Sequence, residues 1–405
     1  MDYSVLNKIS NSYGDSFYLL DTEKFKDNYT ELLNSFKKYY KNTNIGYSYK
    51  TNYTPVLCKL IDDNGGFAEV VSDMEYSLAI AIGVAPQNII VNGPYKTKKL
   101  IEKYVLNKSI VNLDSYREFE YIKEIAIDNP SVNIEYGIRC NFSIGNNNIS
   151  RFGVDTENSD FVKKISELNK IPNVILSGIH CHFPDRNADS YVIRAEKIIK
   201  LVKLLFKTPP RYIDIGGGYF GKMDQSLRKQ FSSYHDYDEY AEKIGRVFYK
   251  EYGELPNKSQ PLLILEPGSA IVADVVKFVC KIVEIKNIRN SDIAICTGSK
   301  FNIGLLSSTI NSPISVFSKN ETGTYHNSID ISGYTCIESD YLYRGYQGNL
   351  DIDDFIMLDN AGSYSIVFKP PFILPNVPVV EIKNNKINVI KRQETFNDVF
   401  STFSW

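Results

Sequence analysis

Eight short apolar runs of strand character recur between residues 45 and 266, and the stretches between them show helical spacing. Val56, Leu57, Leu60 and Ile61, for example, share one face of a helix. Alternating strands and helices predict parallel βα units, and eight units over about 220 residues match the size of a (β/α)8 barrel. The eight predicted strands are Ile45–Tyr49, Phe67–Val71, Asn88–Val91, Ile110–Leu113, Ile134–Ile138, Val174–Ile179, Arg211–Ile215 and Leu262–Leu265.

The ends of the first two predicted helices carry recognisable signals. Thr54-Pro55 opens the first helix, because proline is tolerated at the first helical position, and Asn64-Gly65-Gly66 closes it. Ser72 and Glu75 have the spacing of a capping box for the second helix, which Gly83 ends. These signals support the βα interpretation of the first units.

The pattern changes after Glu266. Strand-like alternation over Phe278–Val283 and three further short runs predict a second, mostly β domain. Asn384-Asn385 separates two apolar runs as a hairpin turn does. We therefore expect an α/β architecture, with a TIM-type (β/α)8 barrel over residues 26–272. A β-rich barrel or sandwich is expected over 1–25 and 273–405, with Ser16–Leu20 as its N-terminal strand.

Composition and charge exclude several classes of protein. Apolar residues make up 43% of the 405 residues and charged residues 23%, so wholesale disorder is excluded. A net charge of −2 lacks the basic excess that bulk nucleic-acid binding requires. The six cysteines are dispersed without a Cys-x-x-Cys pair, so we expect neither a zinc site nor a disulfide framework. No signal-peptide pattern and no membrane-length apolar run is present, and we expect a cytoplasmic protein.

Candidate chemistry lies at the ends of the predicted barrel strands, where active sites of α/β barrels form. Lys50 follows the first strand; a desolvated amine there can form a Schiff base, although a lone lysine is usually a surface residue. Gly216-Gly217-Gly218 follows the seventh strand and is either a phosphate-binding turn or a plain tight turn. Glu266 ends the eighth strand and can pair with a protonated ring nitrogen or form a structural ion pair.

Two histidines end the sixth strand. His180 and His182 stand two residues apart, so we expect both to face the same side. Cys181 points the other way and no carboxylate-rich motif accompanies them, so we expect no metal site. Inward imidazoles can stack on an aromatic cofactor, whereas a buried structural histidine is the alternative for one of the two.

Short motifs carrying these residues follow one another in a specific order. They are Tyr49-Lys50-Thr51-Asn52, Ser72-x-x-Glu75, Arg151-Phe152-Gly153, Gly178-Ile179-His180-Cys181-His182, Asp214-Ile215-Gly216-Gly217-Gly218, Glu266-Pro267-Gly268, Cys336…Asp340 and Gly362-Ser363-Tyr364. Together they resemble the fold-type III decarboxylases that use pyridoxal 5′-phosphate, the relatives of diaminopimelate, ornithine and arginine decarboxylases. The resemblance runs from about residue 16 to residue 370.

The resemblance implies roles by position. Lys50 matches the lysine that carries the cofactor, His182 the imidazole that stacks on its ring, and Glu266 the partner of the ring nitrogen. Cys336 matches a cysteine that reaches in from a partner subunit and returns a proton, so a homodimer with shared sites is implied. The other cofactor-binding positions that the resemblance implies are Glu69, Arg139, Gly216, Gly217, Gly218, Gly268 and Tyr364.

The chain departs from the family at positions whose counterparts contact the phosphate or the substrate. Asp185 stands where a small residue is usual, and Ser269 where an arginine follows the Glu-Pro-Gly motif. The residue after Cys336 is Ile337 rather than an acid, and Ser312-Pro313 replaces an Arg-Pro segment. The candidates for contacting the substrate are Asp185, Glu338 and Asp340.

Decarboxylation of an amino acid or amino-acid derivative, either as a small molecule or linked to a carrier, is the function that the motifs favour. The departures argue against diaminopimelate and ornithine as substrates. An amino-acid racemase is the alternative enzyme, but racemases of this architecture lack the Glu-Pro-Gly and Cys…Asp motifs. A non-catalytic cofactor-binding relative is the other alternative, and the presence of Lys50 and Cys336 argues against it.

Overall fold

The computed structural model describes residues 1–145, 149–304, 310–319 and 323–404. The chain divides into two compact units. The first comprises Lys26–Gly221 and Ser233–Ala270, and the second comprises Met1–Phe25, Lys222–Ser232 and Ile271–Trp405. Lys222–Ser232, which the sequence assigned to the barrel, groups with the β-rich unit instead. Parts of both predicted domains, residues 146–148, 305–309, 320–322 and 405, lie outside the described residues.

Eight parallel strands form a closed ring in the first unit. Each strand pairs with the next one of the ring, and Leu262–Leu265 closes the ring by pairing with Thr43–Ser48. The predicted (β/α)8 barrel is therefore confirmed. The eight strands are Thr43–Ser48, Phe67–Val70, Ile89–Val91, Ile110–Leu113, Ile134–Asn141, Val174–His180, Tyr212–Asp214 and Leu262–Leu265.

Helices follow the strands as the apolar spacing predicted. Pro55 is the first residue of its helix, and the Ser72 hydroxyl accepts a hydrogen bond from Glu75 N at 3.2 Å. The Glu75 carboxylate in turn accepts from Val71 N at 2.7 Å, so the capping box closes one residue earlier than expected. The main helices of this unit are Thr22–Lys37, which begins in the other unit, Pro55–Asp63, Asp73–Ala81, Lys98–Leu106, Tyr116–Asp128, Phe161–Leu168, Ala188–Leu205 and Tyr237–Tyr252.

Side chains fill the interior of the barrel. The ring of Tyr212 packs with Ile90, Ile110 and Ile264 in one buried cluster. Glycines make room for this ring, because a Cβ on Gly178 would lie 2.4 Å from Tyr212 ring atoms. The barrel is therefore a packed core, and its chemistry is confined to its ends.

The second unit is built around a mixed sheet. Phe17–Leu20 pairs antiparallel with Val276–Ile288 and parallel with Val379–Lys383, so the N-terminal strand belongs to this sheet as predicted. The Asn384-Asn385 hairpin is also confirmed, since both residues have positive φ, 52° and 58°. The remaining strands of the sheet are Ser291–Cys296, Ile314–Phe317, Tyr325–Ser332, Tyr341–Asn349, Phe355–Leu358 and Lys386–Lys391.

The N-terminal helix Tyr3–Tyr13 covers part of this sheet. Leu6 and Ile9 are fully buried in one cluster with Phe17, Val279 and other sheet residues. The remaining α-helices of the described chain are short: Gln225–Arg228, Ser269–Val272 and Phe396–Phe400. Within the same residues, no helix combines the length and apolarity that crossing a bilayer requires.

Candidate active site

An ion pair joins the ends of the first two barrel strands. Lys50 lies in a 3-10 turn, Tyr49–Thr51, directly after the first strand. Its ammonium group pairs with the Glu69 carboxylate and lies 3.4 Å from Ser48 Oγ. Glu69 is fully buried, whereas the Lys50 side chain is 36% exposed. The amine is therefore reachable from outside, with a buried carboxylate beside it.

A buried asparagine links two carboxylates across the barrel end. Asn92 Nδ2 donates to Glu69 Oε1 at 3.0 Å and also to Glu266 Oε1. Asn92 Oδ1 accepts from Asn112 Nδ2 at 2.9 Å. Our sequence reasoning missed both asparagines. The available signal was that Asn92 directly follows the third strand, as Lys50 follows the first.

Glu266 and Asp214 form a close buried pair with His180. His180 Nε2 lies 3.2 Å from Glu266 Oε2. Burial and the adjacent Glu266 charge raise the pKa of Asp214 well above its ordinary value. Burial also acts to raise the pKa of Glu266, but His180, Lys50 and Asp214 together hold it below its ordinary value. Glu266 therefore carries the negative charge of the pair and Asp214 holds a proton.

Carboxylates accompany the histidines, which corrects the expectation that none does. His180 has two carboxylates beside it, and the ligand atoms of His180, Asp214 and Glu266 lie within 4.8 Å of one another. Hydrogen-bond donors already engage both carboxylates, since Asn92 donates to Glu266 and Gly216 N donates to Asp214 Oδ1 at 2.8 Å. The two histidines also differ, because the strand ends at His180 and His182 contacts the glycine turn instead.

His182 is a neutral imidazole with a defined tautomer. Its Nδ1 accepts a hydrogen bond from Gly217 N at 3.0 Å, so its proton is on Nε2. Burial and the nearby Arg139 charge lower the pKa of His182 well below its ordinary value. Arg139 Nη2 also donates to the His182 carbonyl at 3.4 Å. The ring is thus held against the turn without a charge of its own.

The glycine turn leaves no space for side chains. Gly216 and Gly218 have φ of +71° and +100°, which glycine adopts most readily. A Cβ on Gly217 would lie 2.0 Å from the Glu266 carbonyl. None of the described residues accepts a hydrogen bond from Gly218 N–H. The turn therefore offers backbone at close range and a free amide donor, as anion-binding turns do.

Gly268 has a similar close contact within the barrel unit. A Cβ on Gly268 would lie 2.0 Å from Thr51 Oγ1, so the segment after Glu266 lies directly against the Lys50 turn. Asp185 is half-buried in the loop after His182, and its Oδ1 accepts from Asn187 N at 2.7 Å.

The remaining predicted site residues lie in the β-rich unit. Cys336 and Glu338 are exposed. Asp340 is buried, and its carboxylate accepts hydrogen bonds from Ser299 Oγ, Lys300 N and Thr335 Oγ1 at 2.6 to 3.0 Å. Its carboxylate thus binds the loop that carries Cys336. Tyr364 has a φ of +55°.

The barrel residues fit the pyridoxal phosphate that the resemblance implies. Lys50 supplies a reachable amine, Glu266 a carboxylate that stays ionised, and His182 a neutral aromatic ring. The glycine turn supplies a cradle for a phosphate that any Cβ on Gly217 would disturb. These four features match the amine, ring-nitrogen, ring-face and anion requirements of the cofactor.

Comparison with known proteins agrees with this fit. The family model described as "Pyridoxal-dependent decarboxylase, pyridoxal binding domain" matches residues 26–273. Diaminopimelate decarboxylase from Methanothermobacter thermautotrophicus is 23% identical over 97% of this chain and 92% of its own.

Solved structures share the fold. Diaminopimelate decarboxylase from M. jannaschii in complex with L-lysine has a TM-score of 0.84 at 21% identity, over 97% of this chain and 93% of its own. Lysine/ornithine decarboxylase from Vibrio vulnificus in complex with putrescine has a TM-score of 0.76 at 18% identity, over 95% and 98%. The chain therefore belongs to the pyridoxal-dependent decarboxylase family and is an amino-acid decarboxylase that uses pyridoxal 5′-phosphate.

Proposed function

We propose that this enzyme decarboxylates an amino acid whose distal end is neutral or masked, with Lys50 as the residue that carries the cofactor. The observation that carries the assignment of Lys50 is its ion pair with the buried Glu69 at the carboxyl end of the barrel. An amine must lose its proton before it can bond to a carbonyl carbon. The ion pair with Glu69 holds Nζ at the barrel end.

The other barrel residues would orient the cofactor and polarise its ring. When bound, the cofactor supplies an electron-withdrawing ring that stores the electron pair left by departing CO2. Glu266 would hold a positive charge on the ring nitrogen, and the protonated Asp214 and the amide of Asn92 keep Glu266 ionised. Neutral His182 would pack against the ring without competing for that charge. Gly216–Gly218 and Gly268 would bind the phosphate, and Arg139 holds the His182 loop in place.

Cys336 would return the proton that replaces CO2. We propose that its Sγ comes from a second copy of the chain, so that the enzyme is a homodimer with shared sites. Its exposure and the hydrogen bonds of Asp340 support this role, since they present the thiol on a fixed loop. All six cysteines are free, which supports a cytoplasmic location.

The substrate class follows from charged groups that are missing. A buried, unpaired charge is costly, so enzymes for diamino acids place a carboxylate near the distal ammonium. Ile337 follows Cys336 and cannot serve, and Ser312-Pro313 offers no cation for a distal carboxylate. A substrate whose distal group is an amide, a ureido group or a carrier linkage has neither a distal ammonium nor a distal carboxylate, so it buries no unpaired charge.

Diaminopimelate is the second candidate, because the curated relatives above carry that name. Their identity to this chain is 23% and 24%, a range in which substrate-reading residues change readily. Glu338 would be the residue that pairs with the distal ammonium of such a substrate, since it is acidic and stands two positions after Cys336.

The test is kcat/KM for ornithine, lysine, diaminopimelate and a citrulline-like neutral analogue. We expect the neutral analogue to exceed the charged substrates by roughly 10²-fold, the usual effect of an unmatched buried charge. Ile337→Glu should raise activity on ornithine, while the matched variant Glu338→Gln should change little. If a charged substrate is preferred and Glu338→Gln abolishes that preference, Glu338 reads the charge and the proposal on substrate class is wrong.

A further inference from the structure

A buried arginine lies behind the glycine turn without a counterion. Arg194, in the helix Ala188–Leu205, is fully buried. Its Nη2 donates to the Asp185 carbonyl and, at 3.0 Å, to Ser190 Oγ. Its Nε and Nη1 have no hydrogen-bond partner among the described residues. No described carboxylate forms an ion pair with it.

Such a charge needs a compensating anion. Removing a guanidinium from water is costly unless it is paired, and replacing a buried charge with an apolar residue often stabilises a protein. Contact with aromatic faces offsets part of the cost, because the guanidinium carbon lies 3.9 Å from the Tyr191 ring centroid and 5.6 Å from that of Phe183. Nε and Nη1, which together carry three N–H groups, remain without acceptors among the described residues.

Tyr191 connects this charge to the glycine turn. The Tyr191 hydroxyl donates to the Gly217 carbonyl at 2.6 Å. The same oxygen lies 3.2 Å from where a Cβ on Gly218 would be. Tyr191 thus contacts the guanidinium with its ring and the glycine turn with its hydroxyl.

The chain lacks a cation at the position where its family resemblance implies one. Ser269 follows the Glu266-Pro267-Gly268 motif in place of arginine, and Asp185 adds a carboxylate nearby. We propose that Arg194 supplies the missing positive charge for the cofactor phosphate from beneath the glycine turn. It is a positioning residue, which acts through Tyr191 and the Asp185 loop. This inference rests on the proposed position of the phosphate at the glycine turn.

The test compares how apo-protein variants bind pyridoxal 5′-phosphate and pyridoxal, which lacks the phosphate. Arg194→Met and Arg194→Gln remove the charge, and Arg194→Lys keeps it. Arg211→Met is the matched control, because Arg211 is an exposed arginine of the same barrel, paired with Glu135 at 3.0 Å. Dissociation constants are measured from the change in cofactor absorbance, and the thermal midpoint of each apo protein is recorded.

We expect both neutral Arg194 variants to weaken phosphate-ester binding at least about tenfold and pyridoxal binding less than about twofold. Arg194→Lys should retain most of the preference, and Arg211→Met all of it. The apo thermal midpoint of Arg194→Met should equal or exceed that of the wild type, since the uncompensated charge is gone. Equal weakening of both ligands would show a merely structural role and overturn the proposal, as would unchanged binding of both.

Gly217→Ala separates the failure of this inference from the failure of the proposed function. If Gly217→Ala abolishes the preference for the phosphate ester while the neutral Arg194 variants keep it, only the role of Arg194 is wrong. If Gly217→Ala also keeps the preference, the phosphate lies elsewhere and both proposals are wrong. Since Arg194→Gln retains hydrogen-bonding capacity, the comparison stands even where Arg194→Met does not fold.

Discussion

Replacing Asn92 by leucine tests whether the network at the barrel end is as tightly coupled as its geometry indicates. One amide group donates to both Glu69 and Glu266, which are buried. A hydrogen bond to a charged group contributes about 1.5–3 kcal/mol, and a buried acceptor left without a donor costs a similar amount. Each carboxylate keeps one other partner, Lys50 or His180. We therefore expect the lower end for each bond, about 3 kcal/mol in total.

The assay is the free energy of unfolding of the apo protein from urea titration, followed by fluorescence. Asn44→Leu is the matched control, since its amide donates to a neutral carbonyl, Gly65 O, at 2.8 Å in an exposed position. That variant should lose about 1 kcal/mol or less. Asn92→Asp keeps the shape but adds an acid among carboxylates. Burial should raise the pKa of the new acid, so this variant should be most stable at low pH and lose stability as pH rises.

Equal destabilisation by Asn92→Leu and Asn44→Leu would refute the reasoning. It would mean that the two carboxylates do not depend on Asn92, and that their charge states are set by other groups.

Three further outcomes are expected. Burial raises the pKa of Glu75 to about 7 from 4.5, so protonated Glu75 favours the fold most below pH 4.5. Wild type should therefore lose about 3 kcal/mol as pH rises from 4.5 to about 7, whereas Glu75→Gln should show no such loss by urea titration. Gly137→Ala should lower the thermal midpoint sharply, because its Cβ would lie 1.9 Å from the Tyr212 hydroxyl oxygen, and an unchanged midpoint would contradict the packing described. Mixing inactive Lys50→Ala and Cys336→Ala proteins should restore about a quarter of wild-type activity under random subunit exchange, and no recovery despite demonstrated exchange would exclude shared sites.

Much of the barrel was predictable because its strands are buried on both sides. All eight apolar runs coincide with strands, and their limits differ by a few residues. An apolar run shows that a strand is present but does not define the residue at which the strand ends. Strand ends also located Lys50, the glycine turn and Glu266, because parallel strands bring their carboxyl ends to one edge. The hairpin at Asn384-Asn385 followed from turn residues that tolerate positive φ.

Contacts between distant strands were not predictable. Asn92 and Glu266 are 174 residues apart in the chain, and nothing local in the sequence joins them. The proton distribution between Asp214 and Glu266 depends on burial and on His180, which only three-dimensional structure supplies. The grouping of Lys222–Ser232 with the β-rich unit was likewise missed, because contact partners, unlike strand character, leave no periodic pattern.

The most direct test of the account is to locate the covalent link to the cofactor. Purified protein incubated with pyridoxal 5′-phosphate is reduced with borohydride, digested, and mapped by mass spectrometry, with Lys50→Arg and the exposed-lysine variant Lys38→Arg treated in parallel. We expect a yellow protein whose phosphopyridoxyl group, after reduction, lies on Lys50 Nζ at about one per chain, unchanged in Lys38→Arg and absent in Lys50→Arg. A stoichiometric label on another lysine, or a protein that stays colourless with added cofactor, would contradict it.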